Sequence, residues 1–184
     1  MLIGHSGHTA GNNVTVFEWK PTPIQIRWLG LGATRVMTKM DYVLTNTVGG
    51  TPSIDAQSVE TPWRLPDSRL CFTPPPMAPP VAALPALAKG FVTFGCFQNL
   101  AKVSDEAIAC WSRILADLPS SRVRMQCREL GIEETRLAFV ERLKKNAVDP
   151  ARVALMNSVK REEYLGSYAE VDLTLDTFPY SGMT

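Results

Sequence analysis

The chain has 184 residues, with 19 Lys and Arg against 18 Asp and Glu and a formal net charge of +1. This length allows one large domain or two small ones, each with a real core. No basic run is present, so a nucleic-acid partner is not expected, because phosphate backbones require clustered cations. No apolar stretch approaches about 18 residues and no signal peptide is recognisable, so we expect a cytoplasmic protein without a membrane span.

The first part of the chain combines polar loops with short strands. Residues 4–13 (GHSGHTAGNN) form a glycine-rich loop that holds both histidines, His5 and His8. This is either an ordinary surface loop or a source of a proton acceptor or sugar-hydroxyl partner, because histidine titrates near neutrality. The two histidines could also bind a metal, but no Cys or carboxylate cluster accompanies them. Strands are predicted at residues 24–29 and 41–45, and the first runs into a weakly diagnostic Gly-x-Gly loop.

A proline-rich segment divides the chain into two lobes. Residues 74–85 contain six prolines, a density that excludes a helix or a central strand and favours a stiff, extended connector. We therefore predict a first lobe at residues 1–85, which includes this connector, and a second lobe at residues 86–184.

The second lobe is organised around a buried strand at residues 91–97 (FVTFGCF). Polar Gln98 and Asn99 follow it, then Lys102, and then a helix that begins at Ser104 with acids in its first turn. In an open α/β sheet, ligands bind beyond the carboxyl ends of strands, and a lysine beside a helix N-terminus suits an anion. Lys102 is therefore either a functional residue or a solvated loop lysine.

The remaining elements alternate between helices and strands. Periodicity predicts helices at 105–118, at 133–145 with Leu137, Val140 and Leu143 inside, and at 161–169, and strands at 122–127, 152–156 and 171–175. The order βαβαβαβ implies an α/β fold with a parallel sheet between helices.

Several side chains have a structural interpretation. Trp28 and Trp111 are more typical of core than of stacking platforms, and Asp176 is more typical of a turn cap than of an acid. The four cysteines, Cys71, Cys96, Cys110 and Cys127, lack CxxC spacing, which favours buried, reduced thiols over disulfides or a metal site.

Short motifs in a fixed order carry a family resemblance. They are GHTAGN at 7–12, KPTPIQ at 20–25, WLG at 28–30, MDY at 40–42, RLP at 64–66, FVTFG at 91–95, NLAK at 99–102 and DTFPY at 176–180. Together they resemble the catalytic region of the protein O-linked N-acetylglucosamine transferases, in the bacterial form that follows tetratricopeptide repeats. The resemblance covers nearly the whole chain. It implies a GT-B fold of two Rossmann-like lobes, UDP-GlcNAc as donor, a protein Ser or Thr hydroxyl as acceptor, inversion at the anomeric carbon, and no metal or other cofactor.

The resemblance also implies roles for single residues. Lys102 matches the lysine that contacts the donor pyrophosphate, where a fixed ammonium would offset the charge that builds on the departing UDP. Tyr164 stands where the family usually has a histidine, so it can pack against uracil but cannot carry a charge. The other implied donor contacts are Asn99 at the nucleotide, Leu29 and Gly30 in the sugar-pocket wall, Val159, Lys160 and Arg161 in the uridine turn, and Gly182, Met183 and Thr184 at the start of the phosphate turn.

Departures from the family pattern leave alternatives open. Residues 31–34 read Leu-Gly-Ala-Thr instead of Tyr-Pro-Gly-Thr, which loosens the loop. The sequence also begins inside the first lobe and ends at the phosphate turn, so we expect an internal fragment without turnover of its own. The general base is either His8 or a residue upstream. The alternatives are a non-catalytic nucleotide- or protein-binding lobe, or a transferase with a different donor sugar or acceptor.

Overall fold

The computed structural model describes residues 1–5, 7, 11–29 and 36–182. The chain divides into two compact units, Met1–Thr73 and Pro74–Thr184. Each unit contains a four-stranded parallel sheet. The assignment of residues 1–85 and 86–184 to two catalytic lobes stays a prediction. No helix among the described residues is long and apolar enough to cross a membrane.

The sheet of the first unit has the strand order β1-β2-β3-β4. Its strands are Leu2–Gly4 (β1), Gln25–Arg27 (β2), Tyr42–Asn46 (β3) and Thr61–Leu65 (β4). A short helix, Pro52–Asp55 (α1), and a 3-10 helix, Val14–Trp19, complete the unit. The sequence located β2 and β3 but not β1 or β4. Strand β4 contains Pro62, which a sheet tolerates because β4 is an edge strand.

Hydrogen bonds to buried Gln25 hold the first unit together around β2. Its side-chain Nε2 donates to the carbonyl oxygens of Phe17 at 2.9 Å and Lys39 at 2.8 Å. Its backbone amide donates to Asp41 Oδ2 at 2.7 Å, and the Asp41 carboxylate also accepts from Lys20 Nζ. These bonds link the 3-10 helix and the segment before β3 to the centre of the sheet.

The sheet of the second unit has the strand order β7-β6-β5-β8. Its strands are Thr93–Cys96 (β5), Arg122–Gln126 (β6), Val153–Met156 (β7) and Leu173–Thr174 (β8), and its helices are Pro85–Lys89 (α2), Asp105–Asp117 (α3), Glu133–Lys145 (α4) and Arg161–Gly166 (α5). The predicted parallel α/β arrangement is confirmed, with β5 inside the sheet. The prediction that residues 74–85 exclude a helix is wrong at its last position, because Pro85 begins α2. The first position of a helix tolerates proline.

The core of the second unit lies between the sheet and the helices α3 and α4. Ile108, Trp111 and Leu115 of α3 and Phe139 and Leu143 of α4 are buried against strand residues such as Phe94 and Val123. Ser104 caps α3 as predicted, because its Oγ accepts from the amide of Ala107 at 3.1 Å.

Two predicted core positions need correction. Leu137 is 56% exposed, because it precedes Phe139 by two residues and a helix places such neighbours on different faces. Trp28 is half-buried rather than core; its indole Nε1 donates to the Arg69 carbonyl oxygen at 2.7 Å, and its ring meets the edge of His5. Trp111 is core as predicted, with 2% exposure.

The four cysteines are free thiols in different surroundings. Cys96 and Cys127 are buried, Cys110 is half-buried and Cys71 is exposed. The expectation of buried thiols is therefore wrong for Cys71, which lies in an irregular segment of the first unit rather than in a strand.

Candidate functional site

Two cavities open at the carboxyl edge of the second sheet, each of about 360 Å³. Because the strands are parallel, the loops that follow β5, β6, β7 and β8 meet at this edge. We call them the Asp176 cavity and the Glu129 cavity after a carboxylate that lines each one.

The Asp176 cavity is shaped by a tightly bonded turn after β8. Oδ1 of Asp176 accepts from the backbone amides of Thr177 and Gly182, each at 2.8 Å. Gln98, in the loop after β5, donates its Nε2 to the same oxygen at 3.3 Å. A Cβ on Gly182 would meet Gln98 Nε2 at 2.1 Å, so a larger residue there would displace the Gln98 side chain from Asp176. Asp176 thus caps the turn as predicted.

Lys102 faces this turn. It ends the 3-10 turn Leu100–Lys102 that precedes α3, and its Nζ donates to the carbonyl oxygen of Ser181 at 3.1 Å. Lys102 takes part in none of the ion pairs of the described residues. An ammonium without a carboxylate partner at the carboxyl edge of the sheet is suited to an anionic ligand.

The Glu129 cavity contains a hydrogen-bonded pair, Asn99 and Glu129. Asn99 Oδ1 accepts from the amide of Ala101 at 2.8 Å, and its Nδ2 donates to Glu129 Oε1 at 2.7 Å. Hydrogen bonds from its own backbone amide, and then from the Cys127 thiol, the Leu100 amide and Asn99, lower the pKa of the Glu129 carboxyl. The cavity wall therefore carries a lasting negative charge, which the sequence had not indicated.

An aromatic cluster of Phe97, Tyr164 and Tyr168 lies between the cavities. Phe97 stacks on Tyr168 with ring centroids 4.3 Å apart, and the edge of Tyr164 meets both rings at 5.6 Å. The two tyrosine hydroxyls are 3.1 Å apart, and burial together with this bond raises the pKa of Tyr168. Phe97 lines both cavities, Tyr164 the Glu129 cavity and Tyr168 the Asp176 cavity.

The other predicted donor contacts have varied positions. Val159, Lys160 and Arg161 are exposed at the start of α5 and do not line either cavity, whereas Gly182 lines the Asp176 cavity. Leu29 belongs to the first unit, follows β2 with a φ of 58°, and lines a small cavity of about 40 Å³. A positive φ is uncommon for leucine and is often associated with functional sites. His8, Gly30, Met183 and Thr184, and the altered loop at 31–34, lie outside the described residues.

The described part of the chain contains no group of three or more His, Cys, Asp or Glu side chains placed to hold a metal ion.

Known proteins resemble this chain in sequence and in fold. The pattern of glycosyl transferase family 41 matches residues 1–62. A Petunia hybrida protein named "Probable UDP-N-acetylglucosamine-peptide N-acetylglucosaminyltransferase SPINDLY" is 39% identical over 100% of this chain and 20% of its own length. The Arabidopsis thaliana protein of the same name is 37% identical over the same shares. A solved structure of a mutant O-GlcNAc transferase from Thermobaculum terrenum superposes with a TM-score of 0.87 at 32% identity, over 98% of this chain and 34% of that one.

These similarities, together with the parallel sheets of both units, define a class: an α/β glycosyltransferase of the GT-B type. More specifically, the sequence and fold of the chain match the catalytic region of the O-GlcNAc transferase family, as its ordered motifs indicated. The chain spans 20% of the length of each of these two SPINDLY proteins.

Proposed function

We propose that this chain forms donor-binding parts of a protein O-GlcNAc transferase. The complete protein transfers N-acetylglucosamine from UDP-GlcNAc to Ser or Thr hydroxyls of proteins, with inversion and without a metal. The observation that carries the proposal is Lys102, a cation without a carboxylate partner in the described residues, beside the Asp176 turn at the carboxyl edge of a parallel sheet.

The chemistry requires a positive charge where the leaving group forms. As the glycosidic bond breaks, negative charge builds on the UDP, and a fixed ammonium stabilises it without a divalent ion. The hydrogen bond from Lys102 Nζ to Ser181, next to the turn that resembles the family's phosphate turn, supports this role for Lys102. The family resemblance implies further contacts to the diphosphate from Gly182, Met183 and Thr184.

The uridine is proposed to occupy the Glu129 cavity. Asn99 offers a polar contact from the wall of this cavity, and Tyr164 offers a ring on which a base can pack. Val159, Lys160 and Arg161 remain proposed contacts from the exposed turn before α5. The acceptor hydroxyl loses its proton to a base during attack, and His8 or a group outside this chain would accept it.

The experiment that tests the proposal uses the full-length protein. It is incubated with UDP-GlcNAc and a cellular lysate, and acceptor peptides are searched by mass spectrometry for an added N-acetylhexosamine. A parallel reaction with EDTA should proceed at the same rate. The isolated chain of 184 residues should give no product in the same assay. Absence of the sugar from every peptide with the full-length protein would contradict the proposal.

A different donor sugar is the second candidate. Tyr164 stands where the family usually has a histidine, and its hydroxyl bonds to Tyr168. Offering the full-length protein a panel of UDP- and GDP-linked sugars distinguishes the two, because only the accepted donor yields its own mass increment. Nucleotide binding with no increment from any sugar would instead indicate a non-catalytic binding lobe.

The proposal extends to the context of the protein. We propose that tetratricopeptide repeats precede this region in the complete protein and that it acts in the cytoplasm. The resemblance to the bacterial family form supports the first point, and the absence of a membrane-spanning helix in the described residues is compatible with the second.

A further inference from the structure

A basic cleft of about 270 Å³ lies at the amino edge of the second sheet, opposite the two cavities described above. We call it the amino-edge cleft. Its charged lining residues are Lys89, Arg122, Arg124, Arg152 and Glu170. Four cations thus surround one carboxylate.

Most of these cations lack a carboxylate partner within residues 1–5, 7, 11–29 and 36–182. Glu170 pairs with Arg124, whose Nη1 lies 3.0 Å from its Oε2. Lys89 Nζ donates to the backbone carbonyl oxygen of Glu170 at 3.1 Å, and the Arg122 guanidinium lies 5.7 Å from the ring centre of Phe91. Neither contact neutralises a charge.

The fourth cation, Arg152, is held by backbone. Its guanidinium donates to the carbonyl oxygens of Leu115, Leu118 and Ser121. Among the described residues, Lys89, Arg122 and Arg152 take part in no ion pair. The cleft therefore carries an uncompensated positive potential, and concave surfaces concentrate such a field.

Two buried donors in the same cleft have no hydrogen-bond partner among the residues that the structure describes. They are Nε of Arg124 and Oγ1 of Thr93, on side chains of residues that are only 8% and 7% exposed. Buried polar groups are almost always satisfied, and an orphaned group indicates a missing water, ion or ligand. An oxyanion in the cleft, directly or through a water, would supply the acceptor that both donors lack.

We propose that the amino-edge cleft binds a small phosphate-bearing molecule. Three uncompensated cations favour a multiply charged anion over a single carboxylate, and guanidinium groups match phosphate oxygens in geometry and charge. The volume lies just below the usual range of about 300–1,000 Å³ for small-molecule sites, which favours a phosphate or a short phosphate ester over a whole nucleotide. The cleft is therefore a second anion site, separate from the carboxyl edge at which Lys102 lies.

The test is a titration of the isotope-labelled chain followed by NMR, first with inorganic phosphate and then with ribose 5-phosphate. The amide signals of Thr93, Arg122 and Arg124 should shift with saturation, and they should also do so in Lys102→Gln. Tighter binding of the ester identifies a phosphate ester as the occupant, and equal or tighter binding of inorganic phosphate identifies the free ion. Shifts confined to residues 98–102, or none at millimolar ligand, would overturn the proposal.

Charge variants test the same site without relying on the assignment of NMR signals to residues. Arg122→Gln and Lys89→Gln each remove one cation from the rim, and either should weaken phosphate binding at least about tenfold, as for a lost charged hydrogen bond. Lys145→Gln is the matched control, because Lys145 is an exposed cation that does not line the cleft, and this variant should bind phosphate with unchanged affinity. A thermal melt of each variant verifies folding. If the two cleft variants bind phosphate as tightly as the control variant, the proposed site is wrong.

Discussion

The ammonium nitrogen of Lys102 lies 3.1 Å from the carbonyl oxygen of Ser181, although 79 positions separate the two residues in the chain. Parallel pairing of β5 with β8 brings their loops together at one edge of the sheet. Asp176 fixes the loop after β8, so the lysine meets a defined turn rather than a loose segment.

Replacement of Lys102 by alanine should weaken the binding of UDP to the full-length protein. A charged hydrogen bond to the diphosphate contributes roughly 1.5–3 kcal/mol, and calorimetry should register a loss of this size. Lys145→Ala serves as the control, since it removes an exposed cation from α4. If Lys102→Ala binds UDP as tightly as the parent, then Lys102 is only a solvated loop lysine.

Glycine-to-alanine changes at Gly95 and Gly166 should have opposite effects on stability. A Cβ on Gly95 would lie 2.9 Å from Cγ1 of Val171, and such overpacking costs about 1–3 kcal/mol. A Cβ on Gly166 meets nothing within 4 Å, and its helical φ of −63° suits alanine, so stability should rise by about 0.5–1 kcal/mol. Urea denaturation measures the free energy of unfolding of both variants. An unchanged stability of Gly95→Ala would show that β5 has room for a methyl group there.

The Asp41 carboxylate should make the chain sensitive to acid. Its hydrogen bond from Lys20, and then the one from the Gln25 amide, lower the pKa of Asp41 in the folded state. The stability that results is therefore present above the unfolded pKa of about 3.9 and is lost as the pH falls through the lower folded value.

Denaturation midpoints measured from neutral pH to below about pH 3 should reveal this contribution. Asp41→Asn should be less stable than the parent at neutral pH, and the difference should shrink in acid. Asp117→Asn is the control, because the exposed Asp117 side chain has no bonding partner in the described part of the chain. Parallel curves for the parent and Asp41→Asn would contradict the assignment.

The cysteines should react with maleimide in an order set by burial. Burial raises the pKa of Cys96 to about 11 and also raises that of Cys127, so both thiols stay protonated near neutral pH. Exposed Cys71 should react first in the native protein, and all four should react in guanidinium. Peptide mapping by mass spectrometry follows the order, and early labelling of Cys96 would indicate that β5 opens readily.

The second sheet could be predicted because local signals and tertiary structure agree there. The apolar run before Gln98 forms a central strand, and the hydroxyl of Ser104 caps α3. Strands β1 and β4 were missed for physical reasons: β1 has only three residues, and Pro62 in β4 is acceptable only once its edge position is known.

The site itself was only partly predictable. Lys102 and Asn99 follow a recognisable strand, whereas Glu129 joins them only because β6 lies beside β5 in the sheet. The amino-edge cleft could not be predicted either, because the sequence contains no run of basic residues. Lys89, Arg122 and Arg152 lie far apart in sequence, and the fold brings them together at the edge where the parallel strands start.

The aromatic cluster of Phe97, Tyr164 and Tyr168 is a wall common to the Asp176 and Glu129 cavities. A larger or smaller ring at any of the three positions would resize one compartment and shift the boundary of its neighbour. Selectivity toward one half of a bound molecule therefore cannot change without altering the fit of the other half, and engineering of this edge would need compensating substitutions made in pairs.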